Sequence, residues 1–254
     1  MKNLKELLDF HANLKNCDEN LFNAPDPLQV AKVQNNDIIA LICALFAYGN
    51  AGLIVKFLKK LDFDLLKKSD EEIKKSMNAL KYRFENSRDT AEIFITLKRF
   101  SQNFSIEEEI LKGMQNSAQI IDGINNLIKT IYSLNDYRSQ GYEFFFGHTF
   151  EDEPKSPYKR YNMFLRWMVR DSDIDLGLFS KIDKKDLLIP LDVHTHRVCL
   201  ALGLCKRKSY DFKSVMQITQ NLREFDANDP IKYDFALYRL GQSGEIGEIL
   251  KNLK

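Results

Sequence analysis

Residues that break helices are scarce in this chain. Six prolines and eleven glycines in 254 residues exclude a low-complexity or collagen-like polymer and leave little room for long irregular stretches. Cysteine is scarce too. Cys17, Cys43, Cys199 and Cys205 form neither a disulfide framework nor a paired Cys-x-x-Cys zinc pattern, so reduced thiols in a cytoplasm are expected. Neither sign of charge dominates, since 37 Lys+Arg stand against 36 Asp+Glu. That excludes a polybasic protein but not a nucleic-acid partner, because binding needs only a local basic face. The longest apolar run, Ile38–Tyr48, is too short to span a bilayer. The N-terminal segment has no signal-peptide core. What is present, 44% hydrophobic and 29% charged residues, fits a globular chain with a sizeable core.

The pattern reads all-α. No proline occurs between Leu28 and Glu153, and apolar residues recur there at helical spacing. Ile38–Tyr48 follows an Asn-Asn-Asp capping cluster and stops at Gly49-Asn50. Asp70–Phe84, Thr90–Phe104 and Ser117–Leu134 each open on acidic or hydroxyl residues and continue amphipathically. Tyr142–Phe150, aromatic and interrupted by Gly147, is the one strand candidate. A break in character over Asp136–Pro157 separates lobes of roughly 30–135 and 155–254, with 1–30 expected to pack on the second. Beyond the break, helices are expected over Tyr158–Arg170, Asp192–Leu202, Phe212–Phe225 and Ile231–Leu240. Asp229-Pro230 would be N-cap and first residue of the last helix, with Gly241 after its end.

Three places carry potential chemistry. From Pro154 to Arg170 there are five basic residues (Lys155, Lys159, Arg160, Arg166, Arg170) and no acidic one, interleaved with Tyr158, Tyr161, Phe164 and Trp167. Such a mixture suits phosphate contact and base stacking; an amphipathic helix with a solvated basic face gives the same pattern. Lys159 falls in a first helical turn beside Arg160, where helix dipole and neighbour both favour the neutral amine, a potential nucleophile. Asp192, in Leu191-Asp192-Val193-His194-Thr195-His196-Arg197-Val198, is placed to cap a helix, and capping carboxylates are held ionised by backbone N–H groups. On a strand, Asp192, His194 and His196 could share a metal; on a helix, residues two apart point to opposite sides. Asp234 and Tyr238 stand four apart on one helix face, suited to gripping a planar heterocycle or simply to packing.

Lys159-Arg160-Tyr161-Asn162-Met163-Phe164-Leu165 followed by Leu191–Val198 resembles the helix-hairpin-helix DNA glycosylase superfamily, in which endonuclease III-like enzymes open the second hairpin helix with a lysine and carry a later catalytic aspartate. Lys159 and Asp192 fall on those two positions. The interval between them is long and nearer in pattern to the archaeal 8-oxoguanine DNA glycosylases, whose hairpin is also atypical. The usual Gly-x-Gly before the lysine is absent, and so are the cysteines of an iron–sulfur cluster. The chain also looks like a bacterial family within this superfamily.

The resemblance implies a two-lobed all-α glycosylase fold with an atypical helix-hairpin-helix motif. The implied activity is that of a bifunctional DNA N-glycosylase and AP lyase, with no cofactor and no metal, working as a cytoplasmic monomer away from membranes. Its partner would be duplex DNA containing a damaged base, 8-oxoguanine being favoured. Lys159 and Asp192 would be catalytic and face each other across the cleft between lobes. Asp234 and Tyr238 would line the base pocket. Lys155, Arg160, Arg166 and Arg170 would contact phosphates, and Asn50 would enter the gap left by the extruded base. Two other readings start from the same residues: a non-catalytic DNA-structure binder on this scaffold, and a metal-dependent hydrolase using His194 and His196.

Overall fold

A computed structural model describes residues 2–172, 174–244 and 247. The described residues are helical, with one isolated β-bridge, Tyr82–Glu85. In chain order the helices are α1 (Lys2–Lys15), α2 (Asp18–Phe22), α3 (Pro27–Gln34), α4 (Asp37–Leu45), α5 (Ala51–Leu58), α6 (Asp70–Met77), α7 (Ser87–Asn103), α8 (Ile106–Met114), α9 (Ile120–Ser133), α10 (Gln140–Phe146), α11 (Lys159–Val169), α12 (Val193–Ala201), α13 (Phe212–Arg223) and α14 (Asp234–Ser243). Short 3₁₀ turns lie at Phe63–Lys67, Lys184–Asp186 and Pro230–Tyr233. No described helix is long and apolar enough to cross a membrane. The chain divides into two units, one of residues 26–151 and one of residues 1–25 with 152–254.

In the unit of residues 26–151 most helices start on a side chain that satisfies an orphan backbone N–H. Asn36 accepts from Ile39 N–H at 3.0 Å and Asn50 from Leu53 N–H at 3.2 Å. Ser69 and Asn86 form reciprocal capping boxes. Helix α4 is apolar nearly all round and buried from Ala40 to Leu45, so it is a core element. The expected helix Asp70–Phe84 ends early, at Met77. The chain then makes a tight turn in which Tyr82 and Glu85 exchange backbone hydrogen bonds of 2.9 and 2.8 Å.

The strand expected over Tyr142–Phe150 is instead α10. Ser139 caps it by accepting from Tyr142 N–H at 3.1 Å. Tyr142, Phe145 and Phe146 are fully buried, a helical rather than alternating spacing. Gly147 takes φ +77° and ends the helix, a left-handed position suited to glycine.

In the other unit, α11 is buried from Tyr161 to Val169. Helix α12 begins on Asp192, which accepts from Thr195 N–H at 2.7 Å, and α13 begins on Asp211, which accepts from Ser214 N–H at 2.9 Å. Tyr233 donates to Asp9 at 2.9 Å and ties α1 to the turn before α14. Two expectations about the last helix are corrected. Asp229 makes no cap hydrogen bond; its carboxylate is taken by Arg170. Nor does the helix stop at Gly241: it runs to Ser243 and is capped by Gly244. A Cβ at Gly241 would lie 3.0 Å from the His194 Cβ and 3.2 Å from the His194 carbonyl carbon, so this glycine permits the close packing of α14 on α12.

Candidate active site

Lys159 is the first residue of α11. Tyr158 before it has φ +47° and ψ +35° and supplies no side-chain cap, an uncommon left-handed conformation for a bulky residue. Asn162 holds this entry. It is 1% exposed, and its Nδ2 donates back to the Pro157 carbonyl at 3.1 Å. The asparagine that follows the lysine therefore fixes the turn that presents it.

Asp192 is half-buried at the N-terminus of α12. Tyr210 donates to the carbonyl of Leu191 at 2.7 Å and pins the residue before it. Asp234 is the first residue of α14 and is 5% exposed. Burial pushes its carboxyl up to about 6, against the charge and hydrogen bond of Arg166; the charges of Asp192 and Lys159 also act on it, in opposite directions. The amine at the start of α11 and the carboxylate capping α12 thus both lie within electrostatic reach of Asp234 at the start of α14. Lys159 and Asp192 both belong to the unit of residues 1–25 with 152–254.

The basic helix does not present its charges as a row. Arg166 is 4% and Arg170 5% exposed. Arg166 lies 2.8 Å from Asp234 and 3.0 Å from Asp175. Arg170 lies 2.5 Å from Asp175 and 3.0 Å from Asp229. Both guanidinium groups are consumed by this buried network, so the expectation that Arg166 and Arg170 contact phosphate is overturned. A buried guanidinium is tolerable only when so paired. Asp175 came from a segment that reads as a polar acidic loop, and nothing in its local pattern marks it as interior. The start of the helix and the segment before it differ: Lys155 is exposed, and Lys159 and Arg160 are half-buried.

His194 is exposed and His196 buried on α12, with His196 Nε2 3.0 Å from the Arg207 carbonyl. The two point apart, as helical spacing demands. Among the described residues no group of three His, Cys, Asp or Glu side chains is placed to hold a metal ion. Cys199 on α12 is fully buried; desolvation, with the nearby charges of Cys205, Asp234 and Asp192, pushes its thiol up and keeps it protonated. Tyr238 is half-buried and its hydroxyl accepts from Gln242 Nε2 at 2.7 Å. In the other unit, exposed Asn50 caps α5.

One feature of that unit went unseen in the sequence. Arg83 and Phe84 form the exposed tip of the Tyr82–Glu85 turn. Phe84 is 50% exposed and Phe144 38%. The helical pattern of Asp70–Phe84 hid this turn, and only the Tyr-Arg-Phe cluster hinted at it.

Among known proteins, the model of a family described as a protein of unknown function (DUF2400) matches residues 26–243. No curated protein and no solved structure matches the chain.

Proposed function

The chain belongs to the family described as a protein of unknown function (DUF2400), and from its own residues we propose that it is a bifunctional DNA N-glycosylase and AP lyase with a helix-hairpin-helix glycosylase fold. The observation that carries this reading is that Lys159, the first residue of α11, and Asp192, the cap of α12, both act electrostatically on the buried Asp234, the first residue of α14. Helix N-termini also suit the phosphates that flank an extruded nucleotide.

A damaged nucleotide leaves the duplex at a cost of a few kcal/mol, least for an already weakened pair. Lys159, as free amine, attacks C1′ of the deoxyribose. The N–C1′ bond forms as the glycosidic bond breaks, and the electron pair departs with the base. Asp192 stabilises the positive charge developing on the sugar and takes the proton lost by the attacking amine. Opening of the sugar ring leaves an imine, which acidifies the 2′ proton. Its removal expels the 3′ phosphate, the lyase step. Tyr238 beside Asp234 forms the wall for the extruded base, and Lys155 and Arg160 contact phosphates. With Arg166 and Arg170 withdrawn into the interior, the phosphate footprint is smaller than the sequence implies.

The test is a panel of duplexes, each with one lesion, assayed for base release. The reading expects release from at least one oxidised purine, with 8-oxoguanine opposite cytosine first. It expects Asp192→Asn to slow release by on the order of a hundred-fold or more, as loss of an electrostatic stabiliser does. The fold should persist, because asparagine caps helices about as well as aspartate. No release from any member of the panel would sink the reading.

A further inference from the structure

The Arg83–Phe84 turn lies in residues 26–151, outside the Lys159 site. Its backbone is unusually well fixed. Tyr82 and Glu85 are joined by two backbone hydrogen bonds, Tyr82 donates its hydroxyl to the Tyr48 carbonyl at 2.8 Å, and the Tyr48 hydroxyl is hydrogen-bonded to the buried Glu85 carboxylate. Arg83 itself has φ +49°, a conformation that glycine or asparagine adopts far more readily. Gly49 lies against it: a Cβ there would sit 2.3 Å from the Arg83 guanidinium, and Gly49 has φ +106°. The fold thus holds an arginine where another residue would fit the backbone better.

Around this tip is a rigid set of rings. Phe84 lies nearly parallel to Tyr48, centroids 6.1 Å apart at 15°. Phe144 closes on both, at 4.7 Å from Phe84 and 4.8 Å from Tyr48. The Arg83 guanidinium stands 5.6 Å from the Tyr48 ring and 5.7 Å from the Phe84 ring. Beneath them Tyr82 stacks on Phe57 at 4.6 Å and Phe46 meets Phe145 at 4.6 Å, all buried. Exposed phenylalanines anchored on a rigid aromatic core mark a binding surface. Here the exposed charged residues of the turn and of the start of α7 are basic (Lys81, Arg83, Arg88), while the carboxylate of the turn, Glu85, is buried and that of Glu143, beside Phe144, is half-buried.

We propose that the Arg83–Phe84 turn, backed by Tyr48 and Phe144, is a stacking platform for unpaired bases of single-stranded DNA, with Arg83 taking the adjoining phosphate or stacking on the base. The occupant follows from the chemistry. Every base has a π-face, so rings stack bases without sequence preference, and a guanidinium adds charge for the backbone. The proposal takes its partner, DNA, from the functional reading above but uses none of the Lys159 chemistry.

The test uses the full-length protein and a short fluorescein-labelled oligothymidylate, with binding read by anisotropy at fixed moderate salt. Phe84→Ala should weaken binding by roughly ten-fold or more, the range for loss of one stacked base. Arg83→Gln should weaken it less and make the salt dependence shallower. Phe84→Trp should retain affinity, and its emission should be quenched by the bound oligonucleotide, since the single native tryptophan, Trp167, is buried. Thermal unfolding identifies variants that are misfolded, and the tryptophan variant keeps the test decisive if alanine destabilises the turn. The proposal is overturned by no binding of the oligonucleotide to the native protein, by native affinity in folded Phe84→Ala, or by unquenched Phe84→Trp emission at saturation. Base release by a Phe84→Ala protein of native oligonucleotide affinity sinks the platform alone; a native protein that binds through Phe84 but releases no base sinks the glycosylase reading alone.

Discussion

The two units bury acidic residues in different ways. In the unit that contains α11, buried Asp175 and Asp234 and half-buried Asp229 are matched by the guanidinium groups of Arg166 and Arg170. In residues 26–151 the buried carboxylates meet mainly neutral donors, with the exposed ends of two lysines nearby: Lys112, 3.7 Å from Glu109, and Lys74, 3.5 Å from Glu92. Asp89, 1% exposed, accepts from the Tyr137 hydroxyl at 2.7 Å, the Ser139 hydroxyl at 2.5 Å and the Asn86 N–H at 2.8 Å. Glu109 accepts from Thr130 at 2.6 Å and Asn126 at 3.0 Å. Charge is therefore neutralised inside one unit and dispersed over hydrogen bonds in the other. The first arrangement fails harder when a partner is lost, because an unpaired charge stays behind. It also sits under the candidate site, where Asp234 belongs to both.

The largest expected stability effect is Arg166→Met, which leaves Asp234 facing an apolar chain and Asp175 with Arg170 alone. Breaking a buried pair this way costs about 3–5 kcal/mol, a fall in midpoint on the order of 10 °C for a chain of this size. Asp89→Asn, which keeps shape and weakens hydrogen bonds, should cost about 1–3 kcal/mol. Thermal or urea unfolding of the two variants side by side breaks the comparison if Asp89→Asn proves the more damaging.

Gly241→Ala is a smaller and sharper test. In a free helix interior alanine gains about 1 kcal/mol over glycine. Here the added Cβ meets the His194 backbone, so the variant should lose up to about 1 kcal/mol instead. A stabilised Gly241→Ala would show that α12 and α14 are not held as close as described.

The helices were largely legible because their signals are local: caps at Asn36, Asn50, Ser69 and Asp192, and apolar residues at helical spacing. The site was legible only in its anchors. Lys159 and Asp192 are visible because helix starts have a sequence signature. Arg166 and Arg170 looked like surface cations, since their partners Asp175, Asp229 and Asp234 lie 5 to 68 residues from them along the chain in interactions that no local pattern records. Asp229 was misread for the same reason: Asp-Pro is a capping signal, and a tertiary ion pair overrode it. The Arg83–Phe84 turn escaped because Asp70–Phe84 keeps an amphipathic pattern beyond the point where the helix stops. Tyr142–Phe146 was ambiguous because a short aromatic run suits strand and helix alike.

The central claim is that Lys159 is the nucleophile, and borohydride trapping tests it most directly. Native protein is mixed with a duplex bearing the lesion that gives base release, 8-oxoguanine opposite cytosine in the first instance, and borohydride is added. Hydride reduces the imine to a secondary amine, which fixes protein to DNA as a band of reduced mobility. The account predicts an adduct with native protein, its loss in Lys159→Gln, and duplex binding that persists in that variant through Lys155 and Arg160, weakened only by the one lost charge. An adduct that persists undiminished in Lys159→Gln would contradict it, because another amine would then be the one that attacks the sugar.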